Sequence, residues 1–156
     1  MSQQPPRGDV PGIQIHVVRR IDASAAEVWR WLTEASCLEQ WLADRARVEP
    51  GAQGGLELEI LRADSRPIME YAKTTSRDEG RRWCLDFRRD DPQWEGTTRL
   101  ELTLADAGGG CELEVFQEGF QRQAMSSCLT IWEEYRRRWW SALSVLESAI
   151  RTSSAG

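Results

Sequence analysis

IWEEYRRRWWSALSVLESAI, residues 131–150, carries the longest apolar periodicity in the chain. Met125, Leu129 and Trp132, followed by Trp139, Leu143, Leu146 and Ile150, recur at spacings of three and four, which line one face of a helix. The periodicity predicts a helix over 122–150. One cation, Arg136, breaks the seam between Trp132 and Trp139. So wide an apolar face must be covered by another layer of structure, and the sequence before it decides what that layer is.

From 46 to 119 the chain follows strand grammar. LELEI (56–60) alternates strictly, while PIMEYAKTT (67–75) mixes its faces. RRWCLDF (81–87) places Trp83, Leu85 and Phe87 on one side, and RLELTL (99–104) places Leu100, Leu102 and Leu104 together. CELEVFQEG (111–119) returns with Leu113 and Val115 inward and Gln117 continuing that set. EPGAQGG, RDEG, RDDP and DAGGG punctuate the run as turns. Connections this tight make the sheet antiparallel.

Ahead of these strands, IQIHVVRRI (13–21) alternates as a half-buried strand. In DASAAEVWRWLTEASCLEQWLA, Ser24 with Glu27 and Ser36 with Glu39 predict capping boxes for two short helices. The expected fold is therefore α+β: an antiparallel sheet of six or seven strands, two short helices, and a long C-terminal helix across the concave face. Residues 13–150 form one domain, and 1–12 and 151–156 are expected to be flexible tails.

The totals narrow the function. A chain of 156 residues suits one domain with a sizeable core. A net charge of -5 argues against nucleic acid as a partner. No apolar run approaches the roughly 18 residues of a membrane span. MSQQPPRGDVPG lacks the apolar core of a signal peptide, so a cytoplasmic protein is expected. Nineteen arginines against the single Lys73 hint at a bacterial, GC-rich source. Cys37, Cys84, Cys111 and Cys128 form no C-x-x-C pair, and His16 is the one histidine. Reduced, mostly buried thiols are expected, with no metal and no cofactor. No serine, histidine and acid constellation, G-x-S-x-G elbow or phosphate loop is visible, which leans against an enzyme.

Five short motifs occur in a telling order. They are I-D-A-S-x-x-x-V-W at Ile21–Trp29, L-x-x-W at Leu38 and Trp41, Pro50–Gly51, Gly119–Phe120, and W-x-x-x-L-x-x-L at Trp139, Leu143 and Leu146. Together they resemble the helix-grip domains of the START and Bet v-like (SRPBCC) superfamily. The nearer branch is that of the activator of heat-shock-protein-90 ATPase, which includes enediyne self-resistance proteins. The resemblance implies a curved sheet and a ligand cavity between it and the long helix. Gln117 stands where many relatives carry histidine, and Arg138 where a glycine often precedes the tryptophan.

Candidate ligand-binding residues are Trp132, Arg136, Trp41, Gln117, Leu129, Met125, Glu70, Trp83 and Tyr135. An inward Arg136 requires a carboxylate such as Glu70, a wet cavity or a ligand. Alternatively the helix is rolled so that Tyr135 takes the seam and Arg136 sits at the rim. Arg137 and Arg138 read as a solvated face paired with Glu133 and Glu134. Trp139 reads as structural, and Gln117 as bonded to a neighbour or to a ligand. Trp94 is a lid or an exposed anchor, and His16 points outward. Three functions stay open. One is a monomeric binder of a hydrophobic, aromatic or polycyclic metabolite, with antibiotic sequestration as one form. The others are a polyketide aromatase or cyclase, and a co-chaperone-like module using Trp31, Trp94 and Trp140 as surface aromatics.

Overall fold

Alternation becomes sheet throughout the middle of the chain. A computed structural model describes residues 13–63 and 65–155. Its elements are β1 (Gln14–Ile21), α1 (Ala25–Thr33), α2 (Ala35–Leu38), β2 (Arg45–Val48), β3 (Leu56–Ile60), β4 (Ile68–Asp78), β5 (Arg82–Arg89), β6 (Thr98–Ala107), β7 (Gly110–Glu118), a 3-10 turn (Phe120–Arg122) and α3 (Cys128–Ala155). The strands form one curved antiparallel sheet in the order β1-β7-β6-β5-β4-β3-β2. Six strands follow one another as hairpins, and α1 and α2 carry the chain from β1 at one edge to β2 at the other. This is the α+β arrangement expected.

Most of the buried strand side chains sit on the sheet face that α3 crosses, with Cys84, Glu101 and Phe116 buried on the other. Val17 pairs with Val115 across β1 and β7, and Leu85 with Leu100 across β5 and β6. All four are buried, and Trp139, Leu143, Leu146 and Ile150 of α3 join them in one core. Gly119 ends β7 at φ 101°, a left-handed conformation that favours glycine and swings the chain towards α3. The other edge strand, β2, has only four residues, with Arg45 and Arg47 exposed.

Local signals explain the helix starts unevenly. The Ser24 side chain accepts from the Glu27 backbone N–H at 3.1 Å and caps α1, as expected. The second box does not form. Glu34 precedes α2 without a side-chain cap, and the Glu39 carboxylate instead accepts from the Ala46 N–H at 3.0 Å, fixing the start of β2.

The long helix begins at Cys128, six residues later than its periodicity suggested, and runs to Ala155, past the expected boundary at Ile150. Residues 1–12, read as a tail, lie outside the described residues. The second half of the predicted seam is correct. The first half is not: Met125 precedes the helix and is 94% exposed, and Leu129 is 61% exposed. The buried line runs instead through Ile131, Tyr135 and Trp139. It lies about 100° around the helix from the line through Trp132 and Arg136. Leu143→Ala should therefore cost about 2–5 kcal/mol. Met125→Ala should stay within about 0.5 kcal/mol. Urea midpoints compare the two.

Candidate functional site

An interior cavity lies between α3 and the sheet. Leu56 and Leu58 of β3, Trp83, Leu85 and Phe87 of β5, and Leu100 and Leu102 of β6 form its floor. Tyr135, Arg138 and Trp139 of α3 roof it, with Leu32, Leu38, Trp41 and Leu42 at one end. Its volume is about 20 Å³, room for about one water molecule.

The aromatic walls are fixed in orientation. Trp41 donates to the Trp31 carbonyl at 3.0 Å, and Trp83 to Thr74 Oγ1 at 2.9 Å. Trp139 donates to Gln117 Oε1 at 2.9 Å, and the Gln117 amide donates to Thr98 Oγ1 at 2.9 Å. Gln117 is thus satisfied within the protein and does not line the cavity. Trp139, read as structural, is buried and hydrogen-bonded and is also part of the cavity lining.

The polar end of the cavity centres on Glu70, which is 1% exposed. Alternation on β4 turns Glu70 inward with Ala72 and Thr74. Its Oε2 accepts from the Tyr135 hydroxyl at 2.5 Å and forms an ion pair with Arg138. Arg138 also donates to the Leu42 carbonyl at 3.0 Å. Arg89, cross-strand from Glu70, pairs with Glu134 at 2.5 Å and with Asp91 at 3.1 Å. Burial, and then the neighbouring Glu70 carboxylate, hold the Tyr135 hydroxyl well above the usual phenol range. It stays a neutral donor at ordinary pH.

Several expectations are corrected here. Arg136 does not enter the cavity. It pairs with Glu133 at 2.7 Å and lies over the Trp132 ring at 5.7 Å. Hydrogen bonding from Arg136 pulls the Glu133 carboxyl down to about 2. Trp132 is half-buried outside the cavity and donates to the Gln14 carbonyl at 2.8 Å. Met125 and Leu129 are likewise outside it. Arg138 is not a solvated residue but the partner of Glu70, and Glu134 turns to Arg89. Arg137 keeps its expected pair with Glu133, at 3.2 Å. The physical reason is one of partners: an inward Tyr135 and Arg138 both find Glu70, whereas Arg136 finds its acid one turn away on the surface.

Of the proposed surface aromatics, Trp31 and Trp94 are buried, and only Trp140 is exposed. Trp94 packs edge-on against Phe87 and Tyr135. Gln123 straps that loop down, its amide accepting from the Glu95 N–H at 2.7 Å and donating to the Glu95 carbonyl at 2.8 Å. His16 is on the outer face beside Glu114, at 2.7 Å. Cys37, Cys84 and Cys111 are buried. Among the described residues no group of three or more His, Cys, Asp or Glu could hold a metal ion, and no helix is long and apolar enough to cross a membrane.

Reading the sequence misses Arg138 and Arg89. A usable signal exists for the first: Arg138 follows Tyr135 by three, so a seam through Tyr135 brings it inward. Arg138→Met should cost about 3–5 kcal/mol by stranding Glu70. The Glu70→Gln/Arg138→Met double variant keeps an acceptor for Tyr135 and should recover most of that loss. Chemical denaturation reads both. A loss within about 0.5 kcal/mol for Arg138→Met would restore the solvated reading.

The sequence model for Activator of Hsp90 ATPase homolog 1-like proteins matches residues 22–143. No curated protein matches significantly. A protein from Chromobacterium violaceum is 22% identical, over 88% of this chain and 96% of its own, with a TM-score of 0.71. CalU16 from Micromonospora echinospora is 20% identical, over 88% of this chain and 74% of its own, at 0.67. DynU16, of the dynemicin biosynthetic locus, is 14% identical at a TM-score of 0.71. The alignment covers 92% of this chain, which spans about half of DynU16 (49%). At these identities the structural likenesses establish the fold.

Proposed function

We propose that this chain, which belongs to the Activator of Hsp90 ATPase homolog 1-like family, binds a hydrophobic, aromatic or polycyclic small molecule between α3 and the sheet. The observation that carries the reading is the cavity itself. Hydrogen-bonded indoles and leucines wall it, and one end presents Tyr135 and Arg138, anchored on buried Glu70. A buried ion pair adds little net stability to a core, and apolar walls with a few fixed polar groups are the composition of a small-molecule site. Trp41, Trp83, Tyr135 and Glu70 are the ligand-contacting residues carried forward from the sequence.

A cavity of about 20 Å³ must expand to take such a guest. The route of access is a surface groove of about 380 Å³ beside residues 39–44, which shares Trp41, Leu42 and Arg138 with the cavity wall. The Arg138 bond to the Leu42 carbonyl is then the gate. On this reading the guest is of enediyne type and is held for self-resistance by a cytoplasmic monomer; the motive for the enediyne class is the shared fold with a protein of the dynemicin biosynthetic locus.

Tryptophan fluorescence titrated with polycyclic aromatics should show quenching that saturates at one guest per chain, with no product formed. Several turnovers per chain would favour a polyketide aromatase or cyclase, with Tyr135, Glu70 and Arg138 as its polar groups. Absence of binding across the panel would refute the proposal. In stopped-flow mixing, Ala43→Trp should slow association by filling the groove, while Gln123→Ala leaves it unchanged. If the guest passes beneath Trp94 instead, Gln123→Ala is the variant that changes the rate.

A further inference from the structure

Three buried side-chain atoms lack a hydrogen-bond partner among the described residues: Trp31 Nε1, Glu70 Oε1 and Arg89 Nε. The last two belong to residues that face each other across β4 and β5. Glu70 is 1% exposed and Arg89 5%. Both meet Tyr135, Glu70 through its hydroxyl and Arg89 over its ring at 5.6 Å. Leu58, cross-strand from Glu70, and Phe87, two residues before Arg89, line the cavity. Neither residue is itself part of the lining, but both contact Tyr135, which is, so the two orphans lie just behind the polar end.

The remaining hydrogen-bonding capacity there is committed. Glu70 Oε2 serves Tyr135 and Arg138, while the two Arg89 Nη atoms serve Glu134 and Asp91. The two atoms left with no partner at all are one acceptor, Glu70 Oε1, and one donor, Arg89 Nε. Buried polar groups are almost always satisfied, so the chemistry of the missing partner can be read from the pair. A carboxylate guest offers Glu70 no donor and meets it as a like charge. An ammonium offers Arg89 no acceptor, and a ketone fills only Arg89. A hydroxyl, of a water molecule or of a guest that displaces it, donates once and accepts as well, without adding charge.

We propose that the guest is a hydroxyl-bearing hydrophobe, a phenol or polycyclic alcohol, whose O–H donates to Glu70 Oε1 while its oxygen accepts from Arg89 Nε. This rests on the small-molecule reading above and narrows it to a chemical class. The ring that carries the hydroxyl packs along Phe87 and Tyr135.

Matched probes separate the two claims. Isothermal titration of the full chain with 2-naphthol and 2-methoxynaphthalene compares the same ring with and without the donor. The wild type should bind 2-naphthol roughly tenfold or more tighter, as expected for a bond to a charged acceptor. Glu70→Gln should shrink that ratio, and Arg89→Lys, which keeps the charge but removes Nε, should shrink it independently. Equal binding of both probes overturns the hydroxyl assignment and leaves the small-molecule reading standing. Binding of neither probe overturns both. A crystal structure with 2-naphthol bound elsewhere, and a water bridging Glu70 and Arg89, also overturns the assignment.

Discussion

The carboxylate of Glu70 sets the rotation of α3. A helix lying on a sheet can roll by a residue at modest cost in apolar contact, because neighbouring lines of an amphipathic helix are often both partly apolar. Here one line offers Trp132 and Arg136, and the next offers Ile131, Tyr135 and Trp139. With the second line inward, Tyr135 and Arg138 both reach the carboxylate that β4 turns inward, whereas the first would offer it Arg136 alone, which pairs with Glu133 instead. Rolling the helix back would take both Tyr135 and Arg138 from buried Glu70 and break the Arg136–Glu133 pair, which disfavours the alternative more than the exchange of one aromatic for another. The exposure of Leu129, the surface position of Arg136 and the shape of the cavity all follow from that choice.

That dependence also explains what the sequence revealed and what it hid. Strict alternation in LELEI and RLELTL makes one face buried whatever the partner strand, so these strands were legible in isolation. PIMEYAKTT was ambiguous because its inward positions include a glutamate, and that glutamate proved to be the centre of the polar cluster. The late half of α3, where Leu143 and Leu146 are simply apolar, was read correctly. Its early half could not be phased from hydropathy, since Arg138 and Tyr135 are inward for their polar ends. The second capping pair failed for a related reason: Glu39 had a better donor in Ala46 across the turn.

In the proposed function, binding and closure run through the same side chains. Arg138 holds Glu70 on one side and the Leu42 carbonyl on the other, so it ties the helix to the sheet and to the turn after α2 at once. The indoles of Trp41 and Trp139 meet at 6.5 Å beside it. Opening this end requires exchanging bonds at Arg138 rather than unfolding α3, whose distal half stays packed through Leu143, Leu146 and Ile150.

The brevity of β2 has a consequence for life at high concentration. An edge strand exposes unpaired backbone groups on which a second molecule can extend the sheet. With four residues and outward Arg45 and Arg47, β2 offers a short template, and two copies docking edge to edge would bring like charges together. The sheet is thus protected from templated aggregation at that margin by charge and length, and by the end of α2, after which Glu39 occupies the Ala46 N–H.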